Sequence, residues 1–265
     1  MTIFCKAMLV FALVKILFIW NTSLTLVSYY EFATPGSLIG KIIFLPSVLA
    51  NDHLNLIYIA FMAVLIILVI LPWNYISGIL FFWIIFNLYR LNIPVMNGSD
   101  NVQLVLAGCM VFMTVRPYIK HSILSDLQAT SFNAAVILAQ LIVVCIYFIS
   151  GWDKLVTESW RTGEAIAMIA QREQQVGVWG SAIVENALVN GMLSWTTIIF
   201  ELAFAILIWF RRFRFPLLIM GVMFHLIIAF TLTLYDFSFV MIASYFIFLT
   251  DEDYTKMIRN LSVFA

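Results

Sequence analysis

Long apolar segments separated by short polar ones are the feature that most constrains this chain. About eight such segments follow one another between the N-terminus and residue 250. A helix that crosses the roughly 30 Å hydrocarbon core of a bilayer needs about 20 predominantly apolar residues. The segments therefore predict a chain that crosses a membrane several times.

Composition supports this prediction. Of the 265 residues, 64% are hydrophobic and 11% are charged, whereas soluble domains are about 45–50% apolar and about 25% charged. We predict an all-α, polytopic transmembrane helical bundle of seven to eight spans with interfacial helices, forming one domain over residues 1–265. The predicted spans lie within 2–30 and at 54–71, 75–89, 102–115, 132–150, 191–210, 215–234 and 237–250.

The first segment exceeds the thickness of a bilayer core, so its span begins near Val10 or tilts strongly. No small-residue cleavage site follows it, which favours a retained span over a secretory signal peptide. Residues 38–49 are predicted to form an interfacial segment.

Charge and cysteine content exclude several classes of function. The 14 basic and 14 acidic residues give zero net charge, so nothing favours a nucleic-acid partner. Cys5, Cys109 and Cys145 lie inside apolar segments without a CxxC spacing. They predict buried thiols, and neither a disulfide framework nor a metal site is expected.

Basic residues indicate the orientation, because they concentrate in short cytoplasmic loops. Arg211, Arg212 and Arg214 occupy the turn between two predicted spans. We therefore expect a multi-pass protein of the cell membrane with both termini in the cytoplasm. Residues 151–190 are then a long extracytoplasmic loop, and loops of this length in compact proteins are usually functional or disordered. Within the loop, Trp160 and the following apolar residues predict an interfacial amphipathic helix.

Two ionisable residues lie in the middle of predicted spans and are candidate functional residues for that reason. Glu201 and His225 are separated from Arg212 by similar numbers of residues, so they are expected at the same depth. A facing Glu–His pair would relay protons or bind a polar group. The alternative is that they only join helices through hydrogen bonds.

Lys154 follows the fifth predicted span and lies at the expected membrane boundary. It is either an anchor that extends its ammonium group to water or a general base at an apolar edge. Asp153 precedes it, and a neighbouring carboxylate favours the ammonium form.

Several short motifs occur in register along the chain. They are Tyr-Phe-x-x-Gly-x-x-Lys-Leu at 147–155, Trp160-x-x-Gly163, Phe224-His225 and the segment 237–244, with Lys15 and residues 97–101 agreeing more weakly. With these motifs the chain resembles the HTTM (horizontally transferred transmembrane) family, which includes the membrane region of vitamin K-dependent γ-glutamyl carboxylase and short bacterial forms similar to sporulation-delaying protein B.

The resemblance to the short bacterial forms implies a protein of the bacterial inner membrane, with a site on the outer membrane face. There, Lys154 would deprotonate a reduced quinone and His225 would belong to the same catalytic site. The predicted ligand-binding residues are Tyr147, Trp152, Asp153, Trp160 and Glu201. The carboxylase has a large lumenal substrate-binding domain, whereas this sequence stops at Ala265, so carboxylation of a propeptide-bearing substrate is not expected.

Two hypotheses of function remain open. One is carboxylase- or epoxidase-like chemistry on a lipid-soluble ligand such as a quinone, with Lys154 as base. The other is a non-enzymatic membrane factor that matures or exports a secreted peptide, with the lipid bilayer and that peptide or another membrane protein as partners. A transporter is disfavoured because the sequence shows no internal repeat.

Overall fold

The structure is a computed structural model that describes residues 2–27, 37–93, 97–113, 123–171, 186–250 and 252–253. Within these ranges it contains eleven α-helices and one 3-10 turn, and no strand. The all-α, membrane-type bundle that the sequence predicts is therefore confirmed.

The helices begin and end as follows. They are α1 (Thr2–Val27), α2 (Leu38–Ile43), α3 (Leu45–Ile70), α4 (Tyr75–Leu91), α5 (Gly98–Met110), α6 (Ile123–Val156), α7 (Glu158–Thr162), α8 (Glu164–Ala170), α9 (Ala187–Leu207), α10 (Arg211–Leu232) and α11 (Tyr235–Ser244), and the 3-10 turn Tyr245–Phe248 follows α11.

Five helices of the described chain are long and apolar enough to cross a membrane: α1, α3, α6, α9 and α10. Two shorter apolar helices, α4 and Tyr235–Phe248, correspond to further predicted spans. The predicted span 102–115 corresponds to α5, which has 13 residues and is about 20 Å long. It begins in the polar segment before the apolar one, because Asn97 and Asp100 form a capping box there.

Several boundaries differ from those predicted. Helix α6 extends the predicted span 132–150 at both ends. Helix α1 already begins at Thr2, and whether its span begins near Val10 or tilts strongly stays a prediction. Gly151 does not end α6, because the helix packs closely against α9 at this residue. The predicted loop therefore begins after Val156.

The two predicted interfacial segments are helical but divided. Residues 38–49 form α2 and the start of α3, which has a proline in its first turn and a kink at His53. The interfacial helix predicted around Trp160 is instead the pair α7 and α8. Gly163 separates them with a left-handed φ of 87°, a conformation that suits glycine.

The chain divides into two compact units, Met1–Ala139 and Gln140–Ala265, and the boundary falls within α6. The prediction of a single domain over residues 1–265 stays a prediction. In the first unit, α1 packs on α3 and α4 packs on α5. Lys6 donates hydrogen bonds to the carbonyls of Leu68 (2.7 Å) and Leu71, which are among the last carbonyls at the C-terminal end of α3.

In the second unit, α9 packs against α7, α8 and α10, and α10 packs against α11. Glycine residues allow the closest approaches between the helices of this unit. A Cβ at Gly151 would lie 3.0 Å from the Glu201 Cβ, and one at Gly163 would lie 2.6 Å from the Gly191 nitrogen. These contacts bring the end of α6 and the α7–α8 pair against α9.

Candidate functional site

An ion pair joins the C-terminal end of α6 to the middle of α9. The Lys154 Nζ lies 3.0 Å from the Glu201 Oε1 and 2.9 Å from its Oε2, and the two side chains are 15% and 8% exposed. Lys154 is therefore directed into the second unit. Since desolvated charges are costly without a partner, each residue supplies the charge that makes the burial of the other tolerable.

Ser150 and Trp160 complete the surroundings of the ammonium group. Ser150 lies one helical turn before Lys154, and its hydroxyl contacts both the Lys154 Nζ and the Glu201 Oε1, the latter at 3.3 Å. The Trp160 ring centroid lies 5.0 Å from the Lys154 Nζ, which is the range of a cation–π contact. Residues of α6, α7 and α9 thus hold one lysine.

A second set of polar side chains connects α6, α10 and the 3-10 turn. The Tyr147 hydroxyl lies 2.6 Å from the His225 Nε2 and also contacts the Tyr245 hydroxyl. His225 is 1% exposed, and its Nδ1 has no hydrogen-bond partner among the described residues. The bond to Tyr147 therefore holds the imidazole ring through its Nε2.

Residues of both sets, though not Tyr245, line one cavity of about 260 Å³ in the second unit. Most of its wall is apolar, and its polar lining comes from few side chains. The lining residues are Ile146, Tyr147, Ser150, Lys154, Trp160, Ile166, Ile169, Thr197, Glu201, Phe224, His225, Ile228, Leu232, Leu234, Phe237 and Met241. An apolar cavity with a few converging polar groups is the usual form of a small-molecule site.

The structure brings five of the seven predicted site residues to this cavity: Tyr147, Lys154, Trp160, Glu201 and His225. Trp152 and Asp153 are not among the lining residues. Trp152 is 54% exposed and stacks on Phe148, and Asp153 is exposed as well. Successive helix residues point about 100° apart, so Trp152 and Asp153 cannot share the direction of Lys154.

The sequence predicts that Glu201 and His225 face each other, but in the structure each of them bonds to other residues. Within the described residues Glu201 bonds to Lys154 and Ser150, and His225 bonds to Tyr147. Both nevertheless line the same cavity, which agrees with their expected common depth.

Sequence analysis missed two polar residues of the site. Ser150 could have been found, because it lies one turn before Lys154 on the same face of a helix. Tyr245 directly follows the motif that ends at Ser244, but nothing in the sequence separates it from other interfacial tyrosines. Within the described residues, no group of three or more His, Cys, Asp or Glu side chains could hold a metal ion.

Comparison with known proteins identifies the family. The profile of the HTTM domain matches residues 5–252, which include both units and every residue of the candidate site. No curated protein and no solved structure matches the chain. Since the profile covers nearly the whole sequence, the chain belongs to the HTTM domain family of multi-pass membrane proteins.

Proposed function

We propose that this protein binds a lipid-soluble ligand such as a reduced quinone in the cavity of its second unit, and that Lys154 acts as a general base on a ligand hydroxyl. The observation that carries the proposal is the position of Lys154. Its ammonium nitrogen is held by Glu201 and Ser150 at a cavity whose wall is mostly apolar.

The cavity fits a ring system with polar substituents. Aromatic side chains such as Phe224 and Phe237 supply flat apolar walls, and Tyr147, Thr197 and His225 add polar side chains to the lining. Lys154 and Glu201 together carry no net charge, which favours a neutral ligand over a phosphate or a carboxylate.

The ion pair also provides a route for the proton. A base must be a neutral amine, so the proposal requires that Lys154 first passes its proton to the Glu201 carboxylate, whose oxygens lie 2.9 Å and 3.0 Å from the Lys154 Nζ. The amine then accepts the proton of the ligand hydroxyl, which leaves an oxyanion on the ligand and an ammonium at Lys154. The proton that Lys154 gave to Glu201 stays on the Glu201 carboxyl group, and the Trp160 ring stabilises the new ammonium through its cation–π contact.

Ligand binding tests the proposal. We expect the purified protein to bind a naphthohydroquinone without an isoprenoid tail, measured by equilibrium dialysis under anaerobic conditions. Thr197→Phe should abolish binding, because Thr197 lines the cavity. Thr196→Phe is the matched control, because Thr196 is exposed and does not line it. Equal binding by both variants, or none by the wild-type protein, would refute the proposed site.

We further propose that both termini face the cytoplasm of a bacterial cell and that the segment after α6 faces outwards. The support is the Arg211, Arg212 and Arg214 cluster at the start of α10. A cysteine at Ser181, which lies outside the described residues, should react with an impermeant thiol reagent in intact cells that carry Cys145→Ala. Labelling only after lysis would reverse the orientation.

A further inference from the structure

The first unit contains a buried ion pair that the proposed function does not use. The Lys15 Nζ lies 2.7 Å from the Asp100 Oδ1 and donates a hydrogen bond to the Ser99 hydroxyl at 2.9 Å. The Lys15 and Asp100 side chains are 8% and 13% exposed. The second carboxylate oxygen of Asp100 accepts from the backbone of Asn97 at 3.0 Å. The pair therefore joins the middle of α1 to the first turn of α5.

A small cavity of about 10 Å³ adjoins this pair. Its lining residues are Ala12, Lys15, Ile19, Ile85, Leu88, Tyr89, Asp100 and Gln103. Gln103 is 3% exposed, and its Nε2 has no hydrogen-bond partner among the described residues. A buried amide without a partner keeps its full desolvation penalty, so this group needs an acceptor in the cavity.

The volume of the cavity and the charges around it indicate which kind of ligand it would hold. A cavity needs about 10–15 Å³ to hold one water molecule, and buried waters typically make two to four hydrogen bonds. An ion is disfavoured, because Lys15 and Asp100 already neutralise each other. Water can accept a hydrogen bond from an amide and donate one to a carboxylate at the same time, which no monatomic ion can do.

We propose that this cavity is a binding site for a single water molecule, which accepts from the Gln103 side chain and donates to the Asp100 carboxylate. The water gives Gln103 the acceptor that the protein does not supply, and it hydrates an ion pair that would otherwise be largely dry. It bridges Asp100 and Gln103, which lie three residues apart on α5, beside the contact of Asp100 with Lys15 of α1.

A direct test is a structure of the full chain in a lipid nanodisc, at a resolution where ordered waters are visible. We expect one density peak within hydrogen-bond distance of both the Gln103 amide and the Asp100 carboxylate. A cavity without density beside well-ordered Lys15 and Gln103 side chains would refute the proposal.

Gln103→Met gives an independent test by melting temperature. If a water bridges Gln103 to the ion pair, methionine removes the bridge and the melting temperature falls by about 2–4 °C. If the amide has no partner, replacing it relieves its desolvation, so the melting temperature stays equal or rises, which would contradict the proposal. Val105→Met is the control, because Val105 lies on the same helix, is 49% exposed and does not line the cavity. If Gln103→Met fails to fold, the presence or absence of water density in the wild-type structure still tests the proposal.

Discussion

Glu201 holds Lys154 with both of its carboxylate oxygens, across 47 positions of sequence. The pair lies between the end of α6 and the middle of α9, with both side chains largely buried. The ion pair therefore joins two helices, and it also holds the Lys154 side chain at the cavity.

The first prediction concerns the coupling between these two residues. Glu201→Gln or Lys154→Met alone should lower the free energy of unfolding by roughly 3 kcal/mol, because each leaves a buried charge without its partner. The double variant should lose clearly less than the sum of the single losses. Thermal or denaturant unfolding in detergent measures all four proteins.

The exposed pair of Arg211 and Glu252 is the control for this cycle. Its atoms are 2.5 Å apart, but its side chains are 66% and 70% exposed, so we expect a coupling of only about 0–1 kcal/mol. Strict additivity for Lys154 and Glu201 would show that their contact does not contribute to stability.

The second prediction compares two glycines that face each other. Gly163→Ala should destabilise the protein by at least about 1 kcal/mol, since Gly163 has a φ of 87° and its new Cβ would meet the Gly191 backbone. Gly191→Ala should be neutral or stabilising, because nothing lies within 4 Å of a Cβ there. Melting temperatures of the two variants test this asymmetry, and equal effects would contradict it.

The third prediction compares two further glycines, Gly151 in α6 and Gly108 in α5. Gly151→Ala places a Cβ 3.0 Å from Glu201 and 3.1 Å from Leu202, so α9 must shift by a few tenths of an ångström. We expect weaker binding of the hydroquinone probe, because this shift disturbs the Lys154–Glu201 contact. Gly108→Ala is the control, since its Cβ makes only ordinary contact with Phe82. Unchanged binding by the Gly151 variant would mean that the site tolerates the shift.

Hydropathy is sufficient to predict the fold class and the approximate place of the five long and two shorter apolar helices, because lipid requires apolar helices with internally paired backbones. Boundaries were less predictable. Residues 151–156 contain polar side chains and a glycine, yet they continue α6 because Gly151 faces α9 and Lys154 finds a carboxylate there. That stabilisation comes from tertiary contacts, which no local sequence signal records.

The arrangement of the candidate site is likewise predictable from the sequence only in part. Counting residues from Arg212 placed Glu201 and His225 at a common depth, and both line one cavity. Which side chains meet also depends on how each helix is rotated about its own axis. The depth of a residue in the membrane does not determine that rotation. Glu201 consequently contacts Lys154, and His225 contacts Tyr147.

The fourth prediction concerns the hydroxyl that connects the two tyrosines and the histidine. Tyr147→Phe should cost about 1–3 kcal/mol of unfolding free energy, because it leaves both the His225 Nε2 and the Tyr245 hydroxyl without their buried partner. Tyr245→Phe should cost less, since Tyr147 keeps its 2.6 Å contact with His225. Denaturant unfolding of both variants measures the difference, and the reverse order would show that Tyr245 is the more important residue.

The last prediction tests whether Lys154 is a base. Arginine can pair with the Glu201 carboxylate through two hydrogen bonds and keeps its charge, but it does not release its proton near neutral pH. Lys154→Arg should therefore preserve expression, membrane insertion and hydroquinone binding, yet fail to restore the phenotype of a deletion strain, and Lys154→Ala should be equally inactive. Absorbance of the bound probe supplies a second measurement, because the wild-type protein should form the hydroquinone anion and the arginine variant should not. An arginine variant with full activity would refute the general base and favour the peptide-maturation hypothesis, in which the Lys154–Glu201 pair serves packing alone.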